Sequence, residues 1–73
     1  MAEQSDDLKK LVAVATDLGL SAKLRTQAID LIGNIATHDA LLALLDLAAR
    51  EQLTRGEREL SLKHAMKIVK AGR

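Results

Sequence analysis

An all-α fold is predicted for this chain, and three observations carry the prediction. Leucine and alanine, both strong helix formers, supply 26 of the 73 residues, as 14 Leu and 12 Ala. Aliphatic β-branched residues are scarce, three Val and four Ile, which argues against a sheet. Four stretches each open near a capping residue and continue with apolar residues at helical spacing. The expected arrangement is four short antiparallel helices, with five as the alternative count. Residues 1–4 are read as a disordered N-terminus and residues 5–72 as a single all-α domain.

Ser5 is a good N-cap for the first helix, and Asp6 and Asp7 follow it where the positive helix end favours acids. Leu8, Leu11, Val12, Ala15 and Leu18 then recur on one face, and Gly19 is a natural stop. Ser21 caps the second helix, whose expected inner stripe is Leu24, Ala28, Leu31, Ile32 and Ile35. Lys23, Thr26, Gln27, Asp30 and Asn34 occupy its other face. A short turn over Ala36–Asp39 offers Thr37 or Asp39 as the next cap.

The third helix, about His38 to Arg50, is apolar around most of its circumference through Leu41, Leu42, Leu44, Leu45, Leu47 and Ala48. Such a helix is normally enclosed by others, so it is expected at the centre of the domain. Thr54 and Glu57 have the spacing of a capping box that opens the fourth helix. That helix runs to about Ala71, with Gly72 at its end and an apolar arc of Leu62, Ala65, Met66, Ile68 and Val69. Lys63, Lys67 and Lys70 form a separate stripe beside the arc.

The chain is self-similar. A shift of 36 residues places Leu24, Ile29 and Ile32 over Leu60, Ala65 and Ile68, and a shift of 33 places Leu8, Leu11, Val12 and Ala15 over Leu41, Leu44, Leu45 and Ala48. Across about residues 22–48, the run Leu24-Arg25-x-x-Ala28-Ile29-x-Leu31-Ile32-Gly33-x-Ile35-Ala36, followed by Asp39-Ala40-Leu41-x-x-Leu44-Leu45, resembles a HEAT-like, armadillo-type helical repeat. Residues 5–18 look like the second helix of such a repeat, and 57–71 like the first. The chain departs from the pattern in having no proline at its helix starts, and Val69 where a glycine is wanted. The resemblance implies a right-handed α-α superhelix, with a compact bundle as the alternative. It also implies structural roles for Arg25, reaching an acid in an adjacent repeat, and for the Leu-rich inner helix with Leu41, Leu44 and Leu45. Gly33 either admits a neighbouring helix closely or helps to end its own.

Several functions are disfavoured by composition. Without cysteine there is no disulfide framework, thiol nucleophile or thiolate metal site. Without Phe, Tyr or Trp there is no platform on which single-stranded bases stack. His38 and His64 fall in different elements with no metal-binding spacing, and no glycine-rich phosphate loop is present. No catalysis, metal or cofactor is expected. The run Ala40–Ala49 is too short to span a bilayer, and the polar, acidic start has no apolar leader segment, so a soluble, cytoplasmic protein is expected.

Charge singles out one partner surface. Residues 1–53 carry five basic and eight acidic side chains, a balance of −3, whereas residues 54–73 carry six basic and two acidic, a balance of +4. Arg55, Arg58, Lys63, Lys67, Lys70 and Arg73 are therefore the candidate contacts, for an acidic protein surface or, as the alternative, for nucleic-acid phosphates. The same residues also make an ordinary solvated face. The expected function is a small non-catalytic module for protein–protein interaction. Two repeats are fewer than the roughly three a solenoid usually needs. Either the helices close into a compact domain, or an end face stays apolar and is covered by another copy or another chain, so a monomer or weak homo-oligomer is expected.

Overall fold

The computed structural model describes the backbone of residues 2–72 and the side chains of residues 7–72, and this portion is built from four helices: α1 (Ala2–Ala15), α2 (Ala22–Ile35), α3 (His38–Ala49) and α4 (Arg55–Ala71). No strand and no fifth helix occur among the described residues. α1 begins at Ala2 rather than after Ser5, so residues 2–4, read from the sequence as disordered, are helical; Met1 lies outside the described residues. The helix also stops earlier than the Gly19 signal suggests. The Thr16 hydroxyl donates to the Val12 carbonyl at 2.9 Å, and the Asp17 carboxylate accepts the Gly19 N–H at 2.9 Å, so side chains offer the backbone a turn in place of another helical turn. Leu18 is left exposed in that turn.

The remaining ends follow side-chain capping. Ser21 accepts the Leu24 N–H, and Thr37, rather than Asp39, accepts the Ala40 N–H at 3.1 Å. Thr54 and Glu57 form the full capping box, each accepting from the other's backbone N–H. α2 ends on Ala36 with φ of 56°, a left-handed cap without the glycine that usually occupies it. With only Thr37 between that residue and α3, the reversal is completed there.

Packing corrects the expected inner faces. α2 buries Arg25, Ala28, Ile29 and Ile32, while Leu24 and Leu31 remain exposed. α3 buries Ala40, Leu44 and Leu47, with Leu41 partly covered and Leu42 and Leu45 exposed. The enclosed helix is therefore α2, which meets α1, α3 and α4. α3 packs chiefly on α4 and α2 and only slightly on α1, so one of its sides stays open. α4 turns Glu57, Ser61 and Ala65 inward and leaves Leu62, Met66 and Val69 exposed, the reverse of the expected arc apart from Ala65 and the partly covered Ile68. Polar atoms on this inner stripe are satisfied locally: the Ser61 hydroxyl donates to the Glu57 carbonyl at 2.9 Å.

The core joins Ala15, Ala28, Ile29, Ile32, Ala40, Leu44, Leu47, Leu53 and Ala65. Alanines make up four of these nine, which lets helices lie close without large rings between them. The radius of gyration, 11.2 Å, matches the value of about 11 Å for a compact chain of this length. The four helices thus pack as one compact all-α unit. Among the described residues α1 and α4 do not meet.

Candidate functional site

Two antiparallel neighbours, α3 and α4, leave a groove on their outer side. Leu41 and Leu45 line it from α3, and Leu62, Ala65, Met66 and Val69 line it from α4, with Lys70 at its edge. Leu45, Leu62, Met66 and Val69 are 44%, 45%, 50% and 42% exposed. Scattered apolar residues on a surface need no explanation, whereas these are contiguous between two helices. Charge borders it: Lys63, Lys67 and Lys70 are exposed beside Leu62 and Met66, with Glu59 one turn before Lys63.

Of the candidate contacts, the structure brings Lys63, Lys67 and Lys70 together. Arg55 is paired with Glu59, Nε to Oε2 at 3.5 Å, one helical turn along an exposed face. Arg58 is partly buried, and its Nε is covered without a hydrogen-bond partner among the described residues. Arg73 lies outside the described residues. The apolar half of the site was missed because Leu62, Met66 and Val69 satisfy helical periodicity as well as a core stripe does. Glu57 turns inward to its partner Arg25 on α2, and Ser61 on the same stripe is satisfied within α4.

Arg25 is buried, and its guanidinium reaches two elements at once. Nε donates to Glu57 Oε2 at 2.8 Å, and Nη1 donates to the Leu20 carbonyl at 2.6 Å. Glu57 uses its other oxygen for the Thr54 N–H, so one carboxylate both caps α4 and holds Arg25. Burial pulls its carboxyl upward, but the Thr54 N–H and the Arg25 charge outweigh that and hold it below the ordinary 4.5.

α4 crosses α2 at Gly33. This glycine lies inside α2, which continues to Ile35, and a Cβ placed on it would come within 2.6 Å of the His64 ring. His64 then reaches Asp30 through Nε2, 2.9 Å from Oδ1. His38 is exposed at the start of α3, and no three His, Asp or Glu side chains among the described residues converge on a metal-sized site. An added methyl should act through His64. Gly33→Ala normally gains about 1 kcal/mol in helix propensity, but here it is expected to lose stability by displacing the ring. The gain should reappear in Gly33→Ala/His64→Ala relative to His64→Ala. Urea unfolding of the four proteins checks this, and additive effects would mean that the ring and the glycine are not in contact.

No helix of the described residues is long and apolar enough to cross a membrane. Comparison with protein-family models, with curated proteins and with solved structures finds no match to the chain. Among the described residues the chain is a small all-α domain of four helices, with an apolar, lysine-bordered groove on its α3–α4 side.

Proposed function

We propose that the chain is a HEAT-like helical-repeat module that binds protein, taking an amphipathic, acidic-flanked helix of its partner into the α3–α4 groove. The groove itself carries the reading: an apolar floor between two helices with cations along one border matches the helix-in-groove mode of recognition. Met66 suits such a floor, because its flexible thioether adapts to different side chains. The repeat reading is supported by the contacts of α2 with α4 and of α1 with α3, and by the absence of contact between α1 and α4, which a closed square bundle would bring together. The role is one of docking and is not chemical.

A synthetic amphipathic helix with a leucine stripe and glutamate flanks tests it by calorimetric titration. Binding is expected to weaken at least tenfold in Met66→Glu, which sits on an exposed position and leaves the fold intact. Reversal of Lys63, Lys67 and Lys70 to Glu should weaken it as well. Most of the affinity should survive an increase in salt, because the floor is apolar. Duplex DNA serves as the competing probe. A complex held by three lysines would lose about 40-fold between about 50 and 200 mM salt. DNA binding with that loss, unaffected by Met66→Glu, would replace protein docking by phosphate binding, and no binding of the peptide would sink the reading.

A further inference from the structure

We infer that Met66 is an oxidation site that controls the groove: transfer of one oxygen from a peroxide to its sulfur closes the α3–α4 floor to a partner helix. The consequence for binding rests on the docking reading above, whereas the change in the side chain stands apart from it. Met66 is 50% exposed, so its sulfur is open to small oxidants. The chain has no Cys, Trp or Tyr, and its other methionine is Met1. Met66 is therefore the one thioether among the described residues, with no thiol or aromatic side chain to take the oxidant first.

Its position is shared between two hollows of opposite chemistry. On one side it joins Leu41, Leu45, Leu62, Ala65 and Val69 in the apolar floor. On the other it joins Glu59, Lys63, Lys67 and Lys70. Lys63 precedes it by three residues and Lys70 follows it by four, so both stand on the same side of α4. An unbranched side chain with three rotatable bonds reaches either hollow. The thioether is apolar and belongs with the leucines. A sulfoxide does not, because its oxygen is a hydrogen-bond acceptor and the floor side chains offer no donor. Covering that oxygen with a partner helix would leave it unpaired and desolvated. The ammonium groups of Lys63 and Lys70 supply charged donors instead. Oxidation thus shifts the favoured seat of the side chain from the floor to the lysine border, where it takes up the cations that a partner's glutamates would use.

The chemistry balances with hydrogen peroxide as the oxidant. A lone pair on the Met66 sulfur attacks one peroxide oxygen, so the S–O bond forms as the O–O bond breaks. The proton on the transferred oxygen passes to the departing hydroxide, and water leaves. Sulfur is oxidised by two electrons and the peroxide is reduced by two. The step is reversible through a dithiol and a methionine sulfoxide reductase, which return the thioether, a disulfide and water.

Peroxide treatment of the whole chain tests this. Tryptic cleavage after Lys63 and Lys67 isolates Met66 in residues 64–67, apart from Met1, and mass spectrometry is expected to find one added oxygen there. In methyl-labelled protein, the Met66 methyl should show nuclear Overhauser contacts with the Leu45 and Val69 methyls before treatment and lose them after it. Circular dichroism should not change. Affinity for the leucine-striped, glutamate-flanked helix should fall about tenfold, and reductase with a dithiol should restore it. Met66→Leu keeps an apolar side chain of similar size without the sulfur, so it should bind as the untreated protein does and be indifferent to peroxide. No oxygen on residues 64–67, a methyl that keeps its contacts, lost helicity, or an equal loss of affinity in Met66→Leu would each overturn the inference. Unchanged peptide affinity once Met66 carries the oxygen overturns it as well and leaves the docking reading standing. An untreated protein that binds no peptide, but whose Met66 methyl still leaves the floor on oxidation, overturns the docking reading and supports the change of seat.

Discussion

Leu44→Ala is expected to destabilise the protein by about 2–5 kcal/mol, and its neighbours on the same helix by far less. Leu44 is fully buried and belongs to the cluster that links α1, α2, α3 and α4 through Ala15, Ile29, Ile32 and Ala65. Truncation removes apolar contact and leaves a cavity that rigid neighbouring helices fill only in part. A domain of this size has roughly 4–11 kcal/mol in total, so the loss takes a large share of it. At about 4–8 °C per kcal/mol, the midpoint of thermal unfolding should fall by at least 8 °C. Leu42→Ala and Leu45→Ala, at half-exposed positions, should each change stability by less than about 1 kcal/mol. Three equal shifts would contradict the one-sided burial of α3. An unchanged Leu44→Ala midpoint would contradict its place in the core.

That contrast also marks how far the sequence was legible. Helix number and the caps at Ser21 and Thr54 follow from local rules, because capping and spacing are decided within a few residues, and Thr37 is one of the two caps its turn offered. Which side of each helix faces inward was legible only where apolar residues do not surround it. α3 has leucine on every side, so composition alone could not select Leu44 and Leu47 over Leu42 and Leu45. α4 misled for a different reason. Its inner stripe begins with Glu57 and Ser61, which a hydrophobicity count places outside, and only the partner on α2 makes the glutamate's burial favourable. Once α4 is turned by that pair, Leu62, Met66 and Val69 face solvent and become the floor of the groove. The lysine stripe was visible as a charge pattern, and its apolar neighbours were assigned to the core.

The Arg25–Glu57 pair should therefore be the second most sensitive point of the structure. Removing one member leaves the other buried and uncompensated, so Glu57→Ala is expected to cost about 3–5 kcal/mol. It also removes the capping box at the start of α4. Glu57→Gln separates these contributions, since glutamine can still accept the Thr54 N–H while losing its charge against Arg25. It should retain about 1 kcal/mol relative to Glu57→Ala. Arg25→Met/Glu57→Gln should be more stable than Glu57→Gln, because no lone buried charge remains.

The pair also predicts a pH dependence of defined sign. Glu57 has its folded pKa depressed below 4.5, so folding favours the ionised form. Its stabilisation is complete above 4.5 and is lost as pH falls through the lower folded value, because the folded protein must then give up the Arg25 contact to take a proton. Urea unfolding between pH 7 and about pH 3 should show a decline below 4.5 that is shallower in Glu57→Gln. Parallel curves for the two proteins would mean that the carboxylate is not tied to Arg25 in solution. Because the same contact turns the Leu62–Met66–Val69 side of α4 outward, acid should loosen the groove along with the fold. Peptide docking and stability should then decline over the same pH range.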